Sequence, residues 1–125
     1  MKALDDLPLV YSCSGCSNVA QLANTVALRL DRAGLAEMSC IVGVGGHVAA
    51  LVNKARSGRR IIALDGCPLQ CVQGCLQQHA LQADVHVILS QLGLRKRYGV
   101  DCTDEQGDVL FEHLVPMMKG VPETD

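Results

Sequence analysis

Leu64-Asp65-Gly66-Cys67-Pro68-Leu69-Gln70-Cys71-Val72-Gln73-Gly74-Cys75 is the stretch on which the reading of this chain turns. The run before it, Arg60-Arg-Ile-Ile-Ala-Leu, has the continuous apolar character of a strand buried in a parallel sheet. It breaks at Asp65-Gly66, and Pro68 suits the first turn of a helix, where a missing N–H costs nothing. That reading places Cys67 near a helix N-terminus and Cys71 one turn on, along nearly the same face. Two thiols at the carboxyl end of a central strand form half of a metal or redox site.

Working outward, strand–loop–helix units repeat on both sides. Leu7–Ser12 reads as a first strand, running into Cys13-Ser14-Gly15-Cys16, with Ser17 or Asn18 as a helix cap. Val19, Leu22, Ala23, Val26, Ala27 and Leu30 then fall on one helical face, and Gly34 ends the helix. A second strand is expected over Met38–Val42, followed by Gly43-Val44-Gly45-Gly46 and a helix from about His47 to Ser57. The helix opened by Pro68 is expected to reach His79 or Gln82, with a fourth strand over Val85–Leu89. Gln91 to Asp101 is a polar loop carrying Arg95-Lys96-Arg97, read as solvated. Thr103 and Gln106 fit a capping box for a last helix, which Pro116 kinks or ends.

This alternation predicts a single-domain, three-layer α/β fold, flavodoxin- or Rossmann-like, spanning 1–125 with a core over about 7–118. Its parallel sheet has roughly four strands, with helices on both faces. In such sheets, sites form beyond the carboxyl ends of the strands, where strand order reverses. Cys13, Cys40 and Cys67 each close one of the first three strands, so three thiols are expected to converge on one sheet edge.

Composition narrows the chemistry. Hydrophobic residues make up 49% and charged residues 19%, as in a soluble globular protein, and no apolar run suits a membrane span. Asp5 and Asp6 stand where a signal peptide would be apolar, so the expected location is the cytoplasm. A net charge of −2, one Phe, two Tyr and no Trp give no footprint for nucleic acid. Seven cysteines, an odd number in a reducing compartment, favour metal or redox chemistry over a disulfide framework.

Five of these cysteines are the candidate ligands: Cys13, Cys16, Cys40, Cys67 and Cys71. Their all-sulfur character suits zinc, or iron with inorganic sulfide. Cys13, Cys40 and Cys67 are common to every four-ligand set considered, with Cys71 or Cys16 as the fourth. Cys102, alone ahead of the last helix, reads as a packing element. Cys75 continues the i, i+4 series and is left between ligand and core. His79 reads as a surface or partly buried histidine, and His47, His86 and His113 lack ligand spacing. Gly43-Val-Gly45-Gly46-His47-Val48 is similar to a dinucleotide-binding turn, but Val48 occupies the third glycine position. Its glycines are better explained by close backbone passage beside a site, or by leaving the next helix N-terminus open to an anion.

Three segments, Tyr11-Ser-Cys-Ser-Gly-Cys-Ser-Asn, Met38-Ser-Cys-Ile-Val-Gly-Val-Gly-Gly and Asp65-Gly-Cys-Pro-Leu-Gln-Cys, resemble the DGC-domain family. The resemblance covers roughly Leu9 to Met118. It implies zinc binding through four cysteines, which map here to Cys13, Cys40, Cys67 and Cys71, and it implies no known biochemical role. The order of cysteines is also similar, more distantly, to the cluster-binding flavodoxin-like domain of nickel–iron hydrogenase small subunits. That likeness implies Cys13, Cys16, Cys40 and Cys67 around a [4Fe–4S] cluster.

The expected function is therefore binding of one zinc ion by thiolates. A closed four-sulfur site leaves no position for water, which argues against Lewis-acid catalysis. An iron–sulfur electron carrier is the first alternative, and a redox protein built on Cys13-Ser-Gly-Cys16 the second. The metal ion is the expected partner, and a short sheet leaves an edge or helix face open to a homodimer.

Overall fold

The computed structural model describes residues 4–119. Four strands, β1 (Leu9–Ser12), β2 (Glu37–Met38), β3 (Ile61–Asp65) and β4 (Val85–Ile88), form one parallel sheet in the order β2-β1-β3-β4. Five α-helices accompany them: α1 (Asn18–Arg32), α2 (Ile41–Gly45), α3 (Ala49–Ala55), α4 (Cys71–Gln77) and α5 (Asp104–Met118). The chain leaves β1 toward β2 on one side and returns to β3 on the other. The reversal in strand order therefore lies between β1 and β3, the position where open α/β sheets form their crevice. The expected three-layer α/β fold is the one observed.

Helix α1 forms because its apolar residues keep a 3.6-residue period: Val19, Leu22, Ala23, Val26, Ala27 and Leu30 are all buried. Ser17 Oγ caps it by accepting from the Ala20 N–H at 3.2 Å. The helix packs on β1, β2 and β3 with α5 beside it, while α4 packs on β3 and contacts α2. Strand β3 is buried along its whole length, as its unbroken Ile-Ile-Ala-Leu run requires. Among the described residues, no helix is long and apolar enough to cross a membrane.

Several sequence expectations shift. The second strand, expected to reach Val42, stops at Met38. The Ser39 N–H still donates to Val10 O, and Cys40 then becomes the N-terminal flanking residue of α2. A short apolar run such as Ile41-Val-Gly-Val fits a buried strand or a helical turn equally well, and packing against α3 and α4 selects the helix. Helix α3 begins at Ala49, not His47, because His47 takes a left-handed conformation (φ +62°) and Val48 flanks the helix. Helix α4 starts at Cys71, later than the Pro68 start expected. Pro68 instead occupies the second position of a turn closed by the Gln70 N–H on Cys67 O at 3.2 Å.

The last helix keeps its expected start. Thr103 Oγ1 accepts from the Gln106 N–H at 3.1 Å, and Gln106 Oε1 accepts from the Thr103 N–H at 2.8 Å. Pro116 lies inside the final turn without ending the helix, one turn from exposed Glu112, whose carbonyl loses the N–H that proline lacks. Thr103→Ala removes the hydroxyl half of this capping box and is expected to lower stability by about 1 kcal/mol, read from urea unfolding midpoints at an unchanged m-value.

Candidate functional site

The crevice between β1 and β3 is built by the Asp65-Gly66-Cys67 triplet, each residue for a different reason. Asp65 ends β3 with its side chain buried (1% exposed). Its Oδ1 accepts from the Val72 N–H at 2.8 Å and its Oδ2 from the Gln73 N–H at 3.3 Å, so a strand residue caps α4. That cap is needed because Gln70, the flanking residue, is left-handed (φ +54°) and makes no capping bond of its own. The same Oδ2 accepts from His86 Nε2 on β4 at 2.7 Å.

Gly66 is required by space. A Cβ there would lie 2.8–2.9 Å from backbone atoms of Val19 and Ala20, in the first turn of α1. The Gly66 N–H points across the crevice and donates to Cys13 Sγ at 3.1 Å, while the Cys13 N–H donates to Leu64 O at 3.0 Å. The β1–β3 ladder thus continues past the strands and holds the Cys13 sulfur against the triplet. Cys67 follows and meets Lys96 Nζ at 3.5 Å.

A cleft of about 200 Å³ opens at this point. Cys13, Cys16, Cys67 and Cys71 all line it, with Asp65 and Gly66 between them and Lys96 and Tyr98 on one wall. Cys13 is buried, Cys67 half-buried, and Cys16 and Cys71 are exposed. Burial pushes the Cys13 thiol up to about 11; the Gly66 hydrogen bond works against this, and Asp65, Cys71 and Cys67 add to it. Lys96 is raised by its interaction with Tyr98 and then by Cys67, and its Nζ stands 5.3 Å from the Tyr98 ring centre.

Cys40 is elsewhere. It is exposed and lines a neighbouring cavity of about 550 Å³ with Ser12, Ser39, Ile41 and Lys54. Ser14 belongs to both linings and separates them. Of the three cysteines expected to converge from three strand ends, the cleft gathers Cys13 and Cys67, joined by Cys16 from the loop after β1 and Cys71 from the start of α4. Cys40 flanks the N-terminal end of α2 and is not among the residues lining this cleft. Cys67 and Cys71 also do not share a helix face: Cys67 precedes the turn and Cys71 is the first residue of α4. Among the described residues, no three Cys, His, Asp or Glu side chains stand close enough together to hold a metal ion as placed.

The chain matches the model of the DGC domain over residues 9–114. It belongs to the DGC-domain family. It is also 66% identical over 110 residues to the protein named "Anaerobic and virulence modulator AnvM" of Pseudomonas aeruginosa, covering 88% of this chain and 84% of that one. No solved structure matches it. The triplet after which the DGC domain is named is thus a cap, a close-approach glycine and a cleft thiol.

The remaining candidates fall into place by packing. Cys75 faces Gly45, where a Cβ would come within 2.8 Å of its sulfur, and burial raises its pKa. The glycines of Gly43-Val-Gly45 therefore make room for side chains, Leu51 and Cys75, and not for backbone passage. His79 is buried, its Nε2 at 2.7 Å from Val44 O and its ring edge-on to His47. Cys102 is half-buried with its sulfur 3.7 Å from Asn18 O. Sequence reasoning missed the roles of Asp65, His86 and Lys96. A lone acid after a strand and one base in a polar loop carry no periodic signal.

Gly66→Ala is expected to cost about 2 kcal/mol or more, because only backbone could yield. Gly74→Ala, with nothing within 4 Å of the added carbon inside α4, is expected to stabilise by ~0.5–1 kcal/mol. Chemical denaturation of the pair reads both signs.

The Cys13 shift also predicts a pH dependence. A thiol whose pKa rises on folding binds its proton more tightly in the native state. Its contribution is full below its unfolded value of 9.0 and is lost as pH rises toward about 11. Reduced, metal-free protein should therefore lose about 2 kcal/mol more than Cys13→Ala across that window. Parallel stability curves for the two proteins would contradict the assignment.

Proposed function

We propose that this chain binds one zinc ion through the thiolates of Cys13, Cys16, Cys67 and Cys71. The supporting observation is that these four thiols line one cleft at the strand-order reversal, the place where α/β sheets bind ligands. The donor set fits a soft or borderline ion: sulfur ligands, with no carboxylate or imidazole needed. Cys13 and Cys67 lie on the two walls fixed by the β1–β3 ladder. Cys16 and Cys71 are exposed, and rotation about their side-chain bonds is the movement that closes four sulfurs on an ion with bonds of about 2.3 Å.

Gly15 (φ +143°) and left-handed Gln70 shape the two turns that present the exposed pair. A site closed by four thiolates has no open coordination position, so the proposed role is that of a metal-holding or metal-responsive protein and not of a hydrolase. The all-sulfur donor set also suits iron with inorganic sulfide, and metal analysis separates the two.

The test is a cysteine series purified anaerobically and analysed for metal. Wild type is expected to hold one equivalent of zinc. Cys67→Ser should lose it, since a missing thiolate opens the site, while Cys40→Ser and Cys102→Ser should keep it. Loss of zinc in Cys40→Ser with retention in Cys16→Ser would return Cys40 to the ligand set. A brown protein absorbing near ~400 nm would move the chain to iron–sulfur chemistry.

A further inference from the structure

The cleft has a basic wall that the cysteine set does not by itself require. The segment Arg95-Lys96-Arg97 is not the freely solvated loop its composition suggests. Asn18 Nδ2 donates to Arg95 O at 2.9 Å, and the Arg97 N–H donates to Asn18 Oδ1 at 2.6 Å. The Asn18 N–H donates to Arg97 O at 3.0 Å, and Ser17 pairs with Tyr98 in an antiparallel bridge. Asn18 is itself buried, 7% exposed, at the start of α1. The residues on either side of Lys96 are therefore strapped to the helix that follows the Cys13–Cys16 loop.

Within this strap, Lys96 turns inward while Arg95 and Arg97 are exposed. Its Nζ reaches to 3.5 Å from Cys67 Sγ, and it is the one cation among the described residues lining the cleft. A divalent ion held by four thiolates carries a net charge of −2, and the Asp65 carboxylate lines the same cleft. An ammonium held at that place offsets the charge and donates a hydrogen bond to one ligand sulfur, which is how outer partners tune a metal site.

We propose that Lys96, presented on the strap clamped by Asn18, is a positioning residue for the metal: it holds Cys67 Sγ in place and sets how tightly the ion is retained. The inference rests on the thiolate reading above. It assigns control of retention to an element that contributes no ligand. Displacement of the strap, by a partner or by loss of the Asn18 clamp, then loosens the ion without altering a cysteine.

The experiment compares full-length wild type, Lys96→Met and Lys96→Arg, a surface position whose change leaves the core intact. Zinc affinity is measured by competition with a chromogenic chelator, and the sulfur-to-metal charge-transfer band is recorded with cobalt(II). Lys96→Met is expected to weaken zinc binding about tenfold and to shift the cobalt band, with Lys96→Arg keeping most of the wild-type affinity. Unchanged affinity and an unchanged band in Lys96→Met overturn the role of Lys96 and leave the thiolate site standing. Wild type that takes up neither zinc nor cobalt removes the thiolate site, and the role of Lys96 with it.

Discussion

One buried carboxylate holds the crevice together. Asp65 binds two backbone N–H groups of α4 and the His86 ring of β4 from its place at the end of β3. A buried charge is tolerated only when its lone pairs are met, and here three donors from two elements meet them. Removing the carboxyl leaves the first turn of α4 without a cap, since left-handed Gln70 supplies none. It also strands His86 beside an apolar strand. The position of Cys71 depends on that cap, and the position of Cys67 on the turn between them. The glycine that follows Asp65 makes the complementary fit on the other side, letting β3 approach the first turn of α1.

The fold was legible where a periodic signal was long. Helix α1 declared itself through six apolar positions on one face, and α5 through a capping box that both partners complete. Strand β3 was legible from its unbroken apolar run, because only a fully covered strand has no need to alternate. Short elements were not. Ile41-Val-Gly-Val-Gly lacks the length that separates a buried strand from a helical turn, so the apolar run carries the expected second strand to Val42, four residues past the end of β2 at Met38. Pro68 was ambiguous for a related reason: the second position of a turn and the first turn of a helix ask for the same fixed φ.

The candidate site was legible in kind more than in membership. That thiols gather at the carboxyl ends of β1 and β3 follows from sheet topology together with the positions of Cys13 and Cys67. Which other thiols join them depends on how each loop turns after its strand. The loop after β1 carries Cys16 back to the cleft, while Cys40, at the start of α2, lines the neighbouring cavity. The clamp of Asn18 on Arg95 and Arg97, which sets the place of Lys96, was hidden because it joins distant parts of the chain through side-chain-to-backbone hydrogen bonds. Sequence spacing carries no trace of those.

The four cleft thiols differ in freedom, and the difference bears on how the proposed site fills. Cys13 is buried and fixed by the Gly66 N–H; Cys67 is half-buried and faces Lys96; Cys16 stands exposed on the loop after β1 and Cys71 exposed at the first residue of α4. An ion arriving from solvent meets the exposed pair before the held pair. Exposed cysteines lose little packing when they rotate inward, whereas moving Cys13 breaks a hydrogen bond within the β1–β3 edge. In the proposed site, closing and opening therefore fall to Cys16 and Cys71. Cys13 keeps its place in both states, because the Gly66 hydrogen bond that holds it belongs to the β1–β3 edge, while Cys67 is kept by its contact with Lys96.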